Sequence, residues 1–96
     1  EAEALGVRVL TENWFALVPG PAEMTAILDS LGGAVGLNFD FVNWSGPDKY
    51  DRLAGIAPYA EGCHAKCDFR GGVPDADDFR RCLELTRDAG FSGPHT

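Results

Sequence analysis

Glycine and proline punctuation cuts this 96-residue chain into units of similar length, each running from an extended segment into a helical one. Arg8-Val9-Leu10-Thr11 reads as a short strand ending at Glu12. The Pro19-Gly20-Pro21 loop that follows leads into a helix, because proline is tolerated in a first turn where its missing N–H would have had no partner. Met24, Ile27, Leu28 and Leu31 recur at helical spacing, and Gly32-Gly33 supplies the stop. The second unit opens on Val35-Gly36-Leu37-Asn38-Phe39-Asp40, whose period of two marks a strand. It then passes through Trp44-Ser45-Gly46-Pro47 into a helix over 48–54 that ends near Ala57-Pro58. The third strand is predicted over 61–66, followed by a glycine-rich loop at Gly71-Gly72. A helix comes next, with Asp75 as its N-cap, Asp77 and Asp78 in its first turn, an apolar stripe of Phe79, Cys82, Leu83 and Leu85, and Gly90 as its end. Residues 91–94 read as the start of a further strand.

The order β-α-β-α-β-α-(β) predicts parallel strands joined by right-handed crossovers. It leaves a closed barrel and an open sheet equally available. Hydrophobic residues at 45% and charged residues at 24% fit a soluble globular chain, and no apolar run reaches the roughly 18 residues of a membrane span. The net charge of −7 opposes a nucleic-acid partner, whose phosphates need a basic face. Three cysteines cannot form a complete set of disulfides within one chain. Cys63 and Cys67 flank His64, but the third, Cys82, lies in a helical pattern and leaves zinc without a second ligand pair. Buried free thiols in a reducing, cytoplasmic setting are the expectation.

Strand parity then sorts the polar residues. Alternate residues point to opposite faces, so Val35, Leu37 and Phe39 share one face of the second strand, and Gly36, Asn38 and Asp40 the other. The same rule groups Gly62, His64 and Lys66 in the third strand, and Arg8, Leu10 and Glu12 in the first. The apolar sets must pack under the helices. Glu12, Asp40 and His64 therefore face the other side, each at the C-terminal end of its strand, separated by 28 and 24 residues. In βα-barrels that is the end where active sites are built. Two carboxylates and an imidazole suit Mn²⁺, Mg²⁺, Co²⁺ or Zn²⁺.

Thr11-Glu12-Asn13, Asn38-Phe39-Asp40-Phe41-Val42-Asn43 and Cys63-His64-Ala65-Lys66, in that order, resemble the xylose-isomerase-like TIM barrels of the sugar phosphate isomerase/epimerase family. The resemblance implies a partial (β/α)8 barrel, with residues 1–96 a C-terminal fragment of a single barrel domain holding about three βα units and the start of a last strand. It implies that Glu12, Asp40 and His64 are three of four metal ligands, the fourth a carboxylate a few residues beyond Pro94, which this chain does not contain. It implies a metal-dependent isomerase or epimerase of a small sugar or sugar phosphate, working through a metal-stabilised enediolate with Glu12 as the acid/base. In the xylose isomerase branch a hydride shift would operate instead. Asn43 matches a polar residue that often follows the ligating Asp, and Lys66 matches a His-x-Lys pattern suited to a substrate oxygen or phosphate. Trp14 and Trp44, just past ligand-bearing strand ends, are candidate platforms for a sugar, whereas Phe15 is assigned to packing beneath the loop. The fragment by itself is expected to be inactive, and its open strand edges to favour association between copies. Two other readings compete: an abasic-site endonuclease-like hydrolase of the same barrel, which calls for more histidines and a basic groove, and a non-catalytic barrel relative.

Overall fold

A computed structural model describes residues 1–96. Three strands, β1 (Val9–Glu12), β2 (Val35–Asp40) and β3 (Ala60–His64), pair in parallel in the order β1-β2-β3. Helices α1 (Pro21–Ser30) and α2 (Lys49–Ile56) make the crossovers, and α3 (Ala76–Asp88) follows β3. The chain is thus an α/β domain with a three-stranded parallel sheet, as the punctuation predicts. No helix is long and apolar enough to cross a membrane.

The helices cover one face of the sheet. Leu37 and Phe39 of β2 and Cys63 of β3 are buried there against Met24 and Leu28 of α1, Leu53 and Ile56 of α2, and Cys82 of α3. Burying these side chains stabilises the layer by about 1.5–3 kcal/mol for each large apolar group. It also fixes the register, because a one-residue slip would turn the apolar set outward and the polar set inward. All three cysteines are free. Burial pushes the Cys63 thiol up to about 11 and the Cys82 thiol up to about 12, so both are packing residues rather than nucleophiles.

The opposite face carries the polar set of each strand. Near its lower end Arg8 donates to both carboxylate oxygens of Glu61, at 2.6 and 2.5 Å. This pair spans β2 above Gly36, where any Cβ would collide with the Glu61 carboxylate. The register slips between Leu37 and Asn38, so that Ala60 and Gly62 oppose consecutive residues of β2. Glu61 is the extra residue of this bulge, which gives the first half of β3 a different parity from a regular strand.

Five elements differ from the sequence expectations, the first being the third strand, which spans Ala60–His64 rather than 61–66. A single 3₁₀ turn at Glu3–Leu5 precedes β1, and another, Ala57–Tyr59, extends the end of α2. The glycine-rich loop is a small antiparallel hairpin of β4 (Phe69–Arg70) and β5 (Val73–Pro74). Gly71 and Gly72 at its tip have φ of +56° and +81°, the left-handed conformations that a tight two-residue hairpin turn demands. Finally, the further strand expected over 91–94 is reduced to a single bridge between Cys63 and His95. Cys63 N–H donates to the Pro94 carbonyl, Thr96 N–H to the Cys63 carbonyl and Ala65 N–H to the Thr96 carbonyl, so residues 94–96 run beside β3.

Candidate metal centre

Glu12 and Asp40 end β1 and β2, and His64 ends β3. Asp40 pairs directly with His64 in the ladder, while Glu12 pairs with Asn38, one pleat below. Because the residues between them alternate faces, all three side chains rise on the open face and converge. One ligand atom from each can be chosen so that all three lie within 4.8 Å of one another. His64 Nδ1 is 3.4 Å from Glu12 Oε2 and 3.7 Å from Asp40 Oδ2. A cation bound at about 2.1 Å would hold neighbouring donors roughly 3.0–3.4 Å apart, so the cluster needs only small side-chain rotations to close on an ion.

The surroundings hold each ligand from behind. Asp40 is fully buried, and its Oδ1 accepts from the backbone N–H groups of Val42 (2.9 Å) and Asn43 (2.7 Å). The Asp40 backbone is clamped in turn by Asn13, also fully buried. The Asp40 N–H donates to Asn13 Oδ1 at 2.8 Å, and Asn13 Nδ2 donates to the Asp40 carbonyl at 3.1 Å. This pair of bonds continues the β1–β2 ladder with a side chain after β1 has ended. Glu12 Oε1 accepts from Asn43 Nδ2 at 2.7 Å, and Asn38 Nδ2 makes a long contact of 3.5 Å to Oε2.

Two atoms of the cluster, Asp40 Oδ2 and His64 Nδ1, are buried without a hydrogen-bond partner. Such atoms are uncommon, because a polar group removed from water and left unpaired loses about 1–3 kcal/mol, a cost that falls on His64 Nδ1 more than on Asp40 Oδ2, which Lys66 pairs. Both are potential metal ligands and they face each other, which fits a divalent ion of the kind the sequence predicts. The Lys66 ammonium forms an ion pair with Oδ2 at 2.5 Å, and the Glu12 carboxylate lies in the same cluster. Lys66 also lies 3.8 Å from Glu12 Oε1. Its contact with Asp40 holds the ammonium above its usual 10.5, burial opposes this, and Glu12 adds to it.

The structure separates the remaining candidates. Lys66 reaches the cluster, and its ammonium sits 5.9 Å from the centre of the Trp14 ring, which is 45% exposed beside it. Asn43 also reaches the cluster, but it is 5% exposed and its amide is committed to Glu12, so it orients a ligand rather than meeting a substrate directly. Trp44 departs from the sequence expectation. It is 2% exposed, its indole N–H donates to the Val18 carbonyl at 2.7 Å, and Arg52 lies over its ring at 4.7 Å, so it is a core residue and no sugar platform. Phe15 departs in the other direction: it is exposed, touches Trp14 edge-on and has a φ of +37°. Asn13 is the functional residue that sequence reasoning missed as a clamp. Its position directly after Glu12 was the only local signal.

A hollow of about 350 Å³ beside Arg8, Tyr59 and Glu61 lies at the other end of the sheet and holds none of these ligands. Comparison with protein-family models, curated proteins and solved structures finds nothing that matches this chain.

Proposed function

We propose that Glu12, Asp40 and His64 hold a divalent metal in a (β/α) barrel of which these units form a part, and that the protein is a sugar or sugar-phosphate isomerase or epimerase resembling the xylose-isomerase-like enzymes. One observation carries the metal reading. Three ligand atoms from three successive strand ends converge; the two that are buried, Asp40 Oδ2 and His64 Nδ1, face each other, the first held by an ion pair with Lys66 and the second without a hydrogen-bond partner. The barrel reading is supported by the face those ligands share. It carries the Arg8–Glu61 pair at one end and the ligand cluster at the other, with Leu10 between them, while the helices cover the other face.

When bound, the ion would act as a Lewis acid on a substrate carbonyl oxygen. The chain's own residues would do the rest. Asn13 and the turn at 42–43 fix Asp40, so the ligand geometry is set before substrate arrives. Asn43 fixes Glu12 by one oxygen. Glu12 is the candidate base for the proton on the carbon beside the carbonyl. Trp14 offers an exposed ring face at the rim for the apolar side of a sugar, and Lys66 a cation for its oxygens or phosphate.

Titration calorimetry with Mn²⁺ on the native chain and on Glu12→Gln and His64→Asn tests the site. The expected result is binding near one ion per chain, weakened about tenfold or more in each variant. A folded native chain with no binding at millimolar Mn²⁺, or variants that bind as tightly as the native chain, would overturn it. In a complete barrel carrying these units, exchange of solvent deuterium into a sugar product then separates proton transfer from a hydride shift.

A further inference from the structure

We propose that Lys66 is a displaceable internal cation. Its ammonium and a divalent ion contest the same oxygen, Asp40 Oδ2, so that metal binding drives the lysine out of the cluster. This inference rests on the metal reading above and concerns how that site is filled.

Little of the Asp40 carboxylate is free. Oδ1 already accepts two backbone N–H groups, from Val42 and Asn43, and the residue is fully buried. Any ion taking Asp40 as a ligand must therefore use Oδ2. Lys66 Nζ already stands 2.5 Å from that atom and 3.8 Å from Glu12 Oε1. An ion about 2.1 Å from Oδ2 and within reach of Glu12 and His64 would come within a few ångströms of Nζ, in a setting where like charges are poorly screened. Both cations cannot stay.

Lys66 is built to leave. It lies two residues beyond the end of β3, and its side chain is 43% exposed although its tip is in the cluster. Its contacts with Asp40 and Glu12 are ion pairs made by the tip of a flexible stem. The Trp14 ring, 45% exposed, already lies 5.9 Å from Nζ and can take the cation when it leaves Asp40. Moving there would carry a positive charge from the ligand oxygens to the place where a substrate would enter.

The exchange makes a prediction that runs against ordinary expectation for a site residue: removing Lys66 should strengthen metal binding. Mn²⁺ affinity is measured by calorimetry for the native chain, the neutral variants Lys66→Met and Lys66→Gln, and Lys66→Arg, with Arg70→Gln as a control for the loss of a distant exposed charge. Both neutral variants are expected to bind about tenfold more tightly than the native chain, Lys66→Arg within about threefold of it, and Arg70→Gln within about twofold. Thermal unfolding followed by circular dichroism reports the fold, and a neutral variant that folds only when Mn²⁺ is added also supports the exchange. Neutral variants that bind no more tightly than a native chain which does bind would overturn the exchange and leave the metal site standing. Neutral variants unfolded with and without Mn²⁺ would make Lys66 a purely structural residue and overturn it too. If neither the native chain nor any folded variant binds, the metal reading falls and the exchange with it.

Discussion

Lys49 and Lys66 each lie against a buried aspartate, and the two pairs are finished in opposite ways. Between α2 and α3, Lys49 and Asp78 are 8% and 5% exposed, and Lys49 Nζ donates to both Asp78 oxygens at 2.7 and 2.9 Å. The Tyr50 hydroxyl adds a third bond to Asp78 Oδ1 at 2.6 Å, and Arg81 covers the Tyr50 ring at 3.7 Å. Both Asp78 oxygens are used, and the pair joins two helices. At the strand ends, Asp40 is buried as deeply, but one oxygen keeps only an ionic contact and the histidine nitrogen facing it has no partner. A buried charge pair with all its bonds made belongs to the architecture. One with a ligand nitrogen left without a partner offers a place where a bound ion would recover the cost of burial.

The comparison breaks most visibly if Lys49 and Asp78 are separated. Asp78→Ala or Lys49→Met alone should cost about 3–5 kcal/mol, because each strands a charge that the helices have already desolvated. Urea unfolding measures this. The double change Lys49→Met with Asp78→Leu should regain most of the loss. Single variants within about 1 kcal/mol of the native chain would mean the pair contributes no more than a surface contact.

The same cluster should shape the pH dependence of stability. Burial pushes Asp78 up, but its hydrogen bonds from Lys49 and Tyr50 outweigh this and hold the carboxyl below its ordinary 3.8. Its contribution is therefore present above that value and lost as the pH falls below it. The hydrogen bond to Asp78, with burial, pushes the Tyr50 hydroxyl up from 10.0 to about 12, so its contribution is complete below pH 10 and is lost as the pH rises toward 12. Ultraviolet titration of tyrosinate should show one of the two tyrosines ionising near 12 in the native chain and well below that in Asp78→Asn. An unchanged titration would remove Asp78 as the cause.

Asn13→Ala should cost less, about 1–3 kcal/mol, since it takes the side-chain partners from one buried N–H and one buried carbonyl of Asp40. It also tests whether the open cluster depends on a rigid support. If Asn13 positions Asp40, Mn²⁺ binding should weaken about tenfold or more along with stability. A loss of stability with unchanged binding would reduce Asn13 to a fold residue.

Strand parity was enough to bring Glu12, Asp40 and His64 to one face and one end, because a period of two leaves no freedom once the apolar set is buried. The α/β order was legible for a similar reason, with Pro21, Gly32-Gly33, Asp75 and Gly90 each marking a helix end by local chemistry. What was not legible depended on contacts between distant residues. Lys49 and Asp78 are 29 positions apart and nothing local announces their pairing. Trp44 looked like a loop aromatic because its partner, the Val18 carbonyl, lies 26 residues away. The bulge at Glu61 was hidden because it is defined against β2 rather than within β3. Asn13 completes a ladder across strands with its side chain, which no propensity anticipates.

The smallest stability effect expected is also the one that separates the two clusters most sharply. Asp40→Asn keeps Oδ1 and its two backbone N–H donors, so the turn at 42–43 remains held. It removes the negative charge that Lys66 meets, but Lys66 is 43% exposed and can turn to water, unlike Lys49 in Asp78→Ala. The cost in urea unfolding should therefore be about 1 kcal/mol or less. Mn²⁺ binding should nevertheless fall about tenfold or more, because an amide is a weaker ligand than a carboxylate for a hard cation. Two buried aspartates, each paired with a lysine, would then give opposite answers: the Asp78 change would be read in stability and the Asp40 change in metal affinity. If Asp40→Asn instead costs as much as breaking the Lys49–Asp78 pair while leaving Mn²⁺ binding intact, the open oxygen at the strand end is an architectural element whose missing partner is water, and the distinction between the clusters collapses.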